Sequence, residues 1–431
     1  MPPHADMETR SVSLGEAVRF WLKLGFISFG GPTGQIAIMH QELVERRRWI
    51  SEGRFLHALN YCMVLPGPEA QQLATYIGWL MHRTWGGIVA GGLFVLPSVF
   101  ILIALSWIYV SYGNVPLVAG IFYGIKPAVV AIVLAAAWRI SQRALKHPAL
   151  WGVAAAAFVA IFAFDVPFPA IVLAAGIIGY AGGRLYPGIF SSGGGHKSEG
   201  SYGPALIDDD TPTPAHALFS WAKLAAYVGV GLALWLLVIG SLAATSGRDG
   251  TLAQMGLFFS QAALLTFGGA YAVLPYVYQG AVEHYGWLTG PQMIDGLALG
   301  ETTPGPLIMV VAFVGYLGAG TAGALVATFF TFLPSFVFIF AGAPFVETTH
   351  GNLKFSAPLT GITAAVVGVI LNLAVFFGWH VLWPAGAGAA FEWISALIGV
   401  AAFVALFRFK AGVMPVIGAC ALVGLAVTLL R

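Results

Sequence analysis

Three ionisable residues sit in otherwise apolar sequence and are the first candidates for chemistry. Glu69 directly follows the triplet Pro66, Gly67, Pro68; Glu301 just precedes a second triplet, Pro304, Gly305, Pro306; and Lys126 lies in YGIKPAVV. A charge at the centre of a membrane helix costs about 2.5 to 3.5 kcal/mol on insertion scales, so each residue calls for a function. Lys126 can pair with an anion, and its alternative is to snorkel its ammonium to the interface. Either carboxylate can exchange a proton. Glu69 has a second option, complementing the dipole of the helix it starts. Glu301, at the C-terminal end of its segment, does not. Thr302 and Thr303 place hydroxyl donors beside the second triplet. Cys62 and Cys420 have no second Cys or His at ligand spacing and read as small buried hydrophobes, so neither metal nor cofactor is expected. His57, His82 and His380 read as packed or interfacial, and His196 and His216 as solvated loop residues.

The backbone around these residues carries the stronger signal. Four Gly/Pro breaks interrupt apolar sequence: Gly30, Gly31 and Pro32 in FGGP; Pro66 to Pro68 in LPGPE; Gly268 and Gly269 in FGGA; and Thr303 to Pro306 in TPGP. At membrane depth, irregular backbone survives only where protein or a wet cavity satisfies it. Proline suits the start of a helix and glycine the turn before it, so half-helices are expected to begin at Pro32, Pro68 and Pro306 and near Ala270. Each helix N-terminus offers unpaired N–H groups worth roughly 0.3 to 2 kcal/mol towards an anion. Four such ends suit a small tetrahedral oxyanion. Ordinary kinks are the rival reading, and the recurrence of the breaks in pairs favours a site. Asn60, Gln71, Gln72 and Asn372 read as helix-to-helix contacts before cavity lining. Arg19 and Lys23, four residues apart, form either an anion-attracting or an interfacial face.

The elements that position these residues are membrane spans. Of 431 residues 58% are apolar and 9% charged, against about 25% charged in soluble domains, which excludes a water-soluble enzyme and a nucleic-acid partner. Apolar stretches read as nine crossings at 86–111, 117–138, 149–164, 168–186, 217–244, 321–345, 355–378, 391–407 and 412–430. Regions 14–82 and 251–320 hold only short apolar segments around the breaks, as re-entrant half-helices would. The polar N-terminus shows no removable signal peptide.

The halves repeat. Gly30-Gly31, Gln41, Glu45, Trp49 and Pro66-Gly67-Pro68 recur 238 residues on as Gly268-Gly269, Gln279, Glu283, Trp287 and Pro304-Gly305-Pro306. After a slip of one residue, Pro97-Ser98 answers Pro334-Ser335, and GIKPAVVAIV from Gly124 answers GITAAVVGVI from Gly361. The expected fold is therefore an all-α polytopic membrane protein of two homologous repeats, residues 1–186 and 251–431, joined by a flexible cytoplasmic linker at 187–216 and a connecting helix at 217–250. With hairpins returning to their own side, five crossings precede the second repeat and invert it. That arrangement puts Arg10, Arg46, Arg47, Arg48, Arg54, Arg83, Arg139, Arg143, Lys146, Arg184, Lys197, Lys354, Arg408 and Lys410 on a cytoplasmic face, leaving Arg248 and Arg431 opposite. ERRRW (Glu45 to Trp49) then serves as a topology determinant and interfacial anchor.

At FGGPTGQIAIMHQE, LPGPEAQQLATYIG, LTFGGAYAVLP and ETTPGP the chain resembles the chromate ion transporter family in its long, two-domain form. The resemblance covers all but the linker. It implies a carrier of the bacterial cytoplasmic (inner) membrane that expels chromate and confers resistance, with sulfate as a close analogue, and it implies thirteen spans rather than nine with hairpins. The family's motif positions fall on Gly30, Gly31, Pro32, Pro66, Gly67, Pro68 and Glu69, and on Gly268, Gly269, Pro304, Gly305 and Pro306. The expected partners are chromate or a sulfate-like dianion, protons exchanged at Glu69 or Glu301, the lipid bilayer, and a second copy in a homodimer. Alternatives are a proton-coupled importer of sulfate or another oxyanion and, further off, a scramblase or membrane-embedded enzyme. Export of a dianion from an interior-negative cell gains about 4.6 kcal/mol per 100 mV.

Overall fold

The structure is a computed structural model and describes residues 12–29, 31–113, 115–190, 202–349, 356–386, 388 and 390–430. Gly30, Arg10, Lys354 and Arg431, and the linker residues 191–201 with His196 and Lys197, lie outside the described residues. The first repeat contains α1 (Leu14–Ile27), α2 (Gly31–His40), α3 (Glu52–Cys62), α4 (Glu69–Tyr112), α5 (Pro116–Ala144), α6 (Pro148–Phe164) and α7 (Phe168–Leu185). A short α8 (Pro187–Phe190) and the long α9 (Trp221–Ser246) connect it to the second. That repeat holds α10 (Thr251–Leu265), α11 (Ala270–Tyr278), α12 (Gly290–Thr302), α13 (Val310–Thr349), α14 (Ser356–Leu382), α15 (Trp393–Phe407) and α16 (Val413–Leu430).

Backbone irregularities reproduce the repeat residue by residue. A π-helical turn follows α2 at Gln41–Arg46 and another follows α11 at Gln279–His284. Ser51 caps α3 by accepting from the Arg54 amide, and Thr289 caps α12 by accepting from that of Gln292. Left-handed φ occurs at Arg48 (57°) and Gly286 (63°). The long helix α4 breaks at His82 and Arg83, and α13 breaks with nearly the same angles at Ala319 and Gly320. Each long helix is therefore a short segment followed by a full crossing.

Among the described residues, seven helices are long and apolar enough to cross a membrane. Of the nine expected crossings, α6 and α15 fall short of that length at 17 and 15 residues. α6 is bounded by Pro148 in its first turn and by Asp165, whose φ is 49°; α15 is stopped before Lys410, whose φ is 50°. At 1.5 Å per residue these two reach about 22 to 26 Å. The chain is a multi-pass, all-α membrane protein.

The two repeats interlock. α5 of the first packs along α15 and α16 of the second, and α14 of the second along α6 and α7 of the first, while α4 and α13 pack against each other and α5 against α14. Glycines set this approach: a Cβ on Gly124 would lie 1.9 Å from the Cys420 carbonyl oxygen, and one on the matching Gly361 would lie 2.4 Å from that of Ala175. Close backbone approach at small residues is how membrane helices gain packing without a hydrophobic drive. By contrast α9 buries only Gly231, and most of its Leu and Val side chains stand exposed, as lipid contact requires.

The described part of the linker is fastened to the first repeat. Ile207 exchanges backbone hydrogen bonds with Ser51 (2.9 Å) and Trp49 (3.1 Å), Ser51 Oγ donates to Asp209 at 2.6 Å, and Arg54 donates to the Thr211 carbonyl. His216, expected in solvent, is half-buried with Nε2 3.0 Å from the Trp79 carbonyl. Polar composition suggested a free tether, but its polar groups find partners on the loop at 48–54.

Candidate functional site

The four breaks open helices where the glycines and prolines require it. Gly31 (φ 70°) and Pro32 begin α2, and Pro68 is the N-cap of α4 with Glu69 its first residue. Gly268 and Gly269 (φ 79° and 97°) precede α11. Pro306 precedes a 3-10 turn, Leu307–Met309, that runs into α13. At the last three no side chain caps the first turn. Pro68 and Pro306 occupy the N-cap rather than the first helical position expected of them, because Gly67 and Gly305 take φ of 127° and 104° to make the turn.

The breaks of one repeat meet those of the other. Gly67 donates its amide to the Thr266 carbonyl at 2.8 Å, and Gly305 donates to that of Ser28 at 2.8 Å. Gln35 Nε2 reaches the Gly305 carbonyl at 2.5 Å, and Ser98 donates to the carbonyl of Pro304. Ser335, matched to Ser98, packs beside Gly67 instead. Its Oγ is buried without a hydrogen-bond partner, as are the Oε1 atoms of Gln71 and Gln72. Gln72 Nε2 donates to the Pro66 carbonyl at 2.8 Å and Gln71 Nε2 to Thr75 at 2.9 Å. Polar capacity is thus left over at a junction lined by helix N-termini, an arrangement able to hold a small anion or water.

The two carboxylates differ. Glu301 is buried and accepts a hydrogen bond from the Tyr271 hydroxyl in the first turn of α11. Glu69 is half-buried, and its side chain makes no hydrogen bond or ion pair among the described residues. Thr302 and Thr303 both spend their hydroxyl hydrogens on the Leu299 carbonyl, at 3.0 and 2.6 Å.

Lys126 is not drawn to the breaks. Its Nζ lies 3.3 Å from Asp295 Oδ2 on α12, and Tyr109 on α4 donates to the same oxygen at 2.9 Å. Asp295 stands eight residues before Thr303, about 12 Å along the helix. These residues floor a cavity of about 380 Å³ whose wall includes Phe122 and Gln292. Sequence reasoning missed Asp295, Tyr271 and Gln35. A lone acid in the apolar run of α12 was the available signal for the first; nothing local marks the other two.

A model of chromate transporters matches residues 15–180 and 253–425, so most of each repeat matches and the linker and α9 do not. The chain belongs to the chromate transporter family. Among chromate transporter relatives, a probable chromate transport protein of Synechococcus elongatus is 32% identical over 85% of each chain. The chromate transport protein of Cupriavidus metallidurans is 31% identical over 84% of this chain and 82% of its own length. That of Pseudomonas aeruginosa is 35% identical over 81% and 77%. No solved structure matches the chain. Of the chromate transporter motif residues, Gly67, Pro304 and Gly305 form hydrogen bonds between the two repeats, whereas Lys126 pairs with Asp295.

Proposed function

We propose that the chain exports chromate, or a sulfate-like tetrahedral dianion, from the cytoplasm through the junction where the broken helices of its two repeats meet. The observation that carries this reading is the reciprocal pairing of Gly67 with Thr266 and Gly305 with Ser28, beside buried polar atoms of Ser335, Gln71 and Gln72 that have no partner. An oxyanion there accepts from helix-terminal N–H groups and from the Ser335 hydroxyl, the kind of recognition that helix N-termini provide. Chromate as substrate follows from the family and from the chromate transport proteins of Cupriavidus metallidurans and Pseudomonas aeruginosa that the chain resembles.

In this reading α1 with α2 and α3 with the first segment of α4 are re-entrant hairpins from one side, and α10 to the first segment of α13 are their inverted counterparts. Residues 1–186 and 251–431 are the two transport units, and they rock about the junction to expose it alternately. Membrane voltage suffices to drive the dianion outwards, at about 2.3 kcal/mol per charge per 100 mV. Glu69 and Glu301 are the proton-exchanging groups at the junction in this proposal.

The test is uptake of labelled chromate into everted vesicles carrying the purified protein, with excess sulfate and with the proton gradient collapsed at held voltage. Saturable, voltage-dependent uptake that sulfate inhibits is expected. Uptake that vanishes with the proton gradient, and that Glu69→Gln or Glu301→Gln frees from it, assigns the coupling. Absence of uptake by folded protein refutes the export reading, and accumulation in right-side-out vesicles instead would make the chain an importer.

A further inference from the structure

The ion pair between Lys126 and Asp295 has no counterpart in the other repeat. Positions matching Tyr109, Lys126 and Asp295 are Val346, Thr363 and His57, none of them a carboxylate or a lysine. A joint inherited by both repeats would be built twice, so this charge pair is a device of one face. Its geometry is uneven. Asp295 is 3% exposed, yet only Oδ2 is partnered, by Lys126 and Tyr109; Oδ1 is buried with no hydrogen bond. Lys126, with 30% of its side chain exposed, borders the same cavity of about 380 Å³. Tyr316 and Glu347 on α13, His380 on α14 and Cys420 on α16 make no hydrogen bond or ion pair with Asp295 among the described residues.

A buried carboxylate with one oxygen unpaired is costly as an anion. Its cost falls in two ways, by holding on to Lys126 or by taking a proton on Oδ1. While Asp295 is ionised, Lys126 is neutralised and the cavity offers a dianion no net positive charge. A proton on Oδ1 removes that competitor and leaves the ammonium to the cavity.

Resting on the oxyanion-carrier reading above, we infer that the cavity floored by Lys126 and Asp295 binds an oxyanion and a proton together: the proton on Asp295 releases Lys126 to the anion. By linkage each ligand strengthens the other, and the site couples anion occupancy to pH without any group at the helix breaks. Lys126 is the anion contact, Asp295 the proton acceptor, and Tyr109 the residue that positions Asp295 Oδ2.

The experiment is sulfate binding to the purified full chain, measured calorimetrically across pH and in two buffers of different ionisation heat. In the wild type the apparent Kd rises by up to about tenfold per pH unit where Asp295 must take up its proton, and close to one proton enters per anion. Asp295→Asn, which keeps the shape and removes the competing charge, is expected to bind with a Kd near the wild-type acid value, to lose the pH dependence that Asp295 contributes and to take up about one proton fewer per anion than the wild type. Lys126→Met is expected to lose this binding. A wild-type protein that binds sulfate with no proton uptake overturns the inference even if the variants fail to fold, as does an Asp295→Asn protein that keeps the wild-type pH dependence. Both results leave the carrier reading intact. Absence of sulfate and chromate binding by folded wild type at every pH refutes the carrier reading and this inference with it.

Discussion

Gly67 donates its amide to the carbonyl of Thr266 at 2.8 Å, joining the break of one repeat to the C-terminal end of helix α10 in the other. Gly305 and Ser28, each 238 residues from its counterpart, repeat the contact. Both glycines hold positive φ, and a Cβ would meet Ser335 Oγ at 2.5 Å from Gly67 and Ser98 Oγ at 1.8 Å from Gly305.

Alanine at either glycine is therefore expected to destabilise the protein by about 1 to 3 kcal/mol, through backbone strain and the displaced serine. Thermal unfolding in detergent checks this. An unchanged midpoint for Gly305→Ala would mean that the turn relaxes without cost.

Arg83 adopts φ 57° and ψ −159° at the break in α4, a region that favours glycine, and its counterpart in α13 is Gly320 with φ 61° and ψ −153°. Arg83→Gly is expected to stabilise the fold by roughly 1 kcal/mol or more, while Gly320→Arg is expected to cost a similar amount. Paired unfolding midpoints for the two variants decide it.

Arg54 and Glu347 form an ion pair across the repeats at 2.9 Å, and the Tyr76 hydroxyl donates to the same carboxylate. Glu347 has 5% of its side chain exposed, so Arg54→Ala strands a buried charge and is expected to cost about 3 to 5 kcal/mol. Arg54→Ala with Glu347→Ala should cost much less than the sum of the two single changes. Additive effects in this double-mutant cycle would show that the pair contributes nothing.

Burial pushes the His216 imidazole below its ordinary value, and the hydrogen bond to the Trp79 carbonyl offsets only part of that. The docked state therefore prefers neutral histidine. Docking of residues 202–217 is expected to be firmest above about pH 6.5 and to weaken as pH falls from there through the lowered pKa. Hydrogen exchange of the segment at about pH 7.5 and about 5.5 measures this, and His216→Gln should flatten the difference.

Much of the architecture is written locally. Apolar run length placed seven of the nine expected crossings on helices long enough to span, the 238-residue recurrence matches the repeated backbone irregularities, and Gly/Pro chemistry placed the helix starts within a residue or two, because each depends on near neighbours along the chain. The seating of Lys126 was not legible in the same way. Snorkelling or pairing with an anion both fit YGIKPAVV, and only packing of α5 against α12 brought Asp295 to 3.3 Å. Linker residues 202–217 show the same limit, since their composition suits a tether but their partners lie about 160 residues away at 48–54.

What the sequence determined by itself was the set of helices, their breaks and their duplication, since turn geometry and burial length are properties of short segments. The tertiary structure alone decided which charges share a site. Arg54 met Glu347 and Lys126 met Asp295 because the two repeats interlock, and Glu301 met Tyr271 through the folding of the second repeat. A buried charge must find its partner wherever packing brings one within reach, irrespective of its distance along the chain.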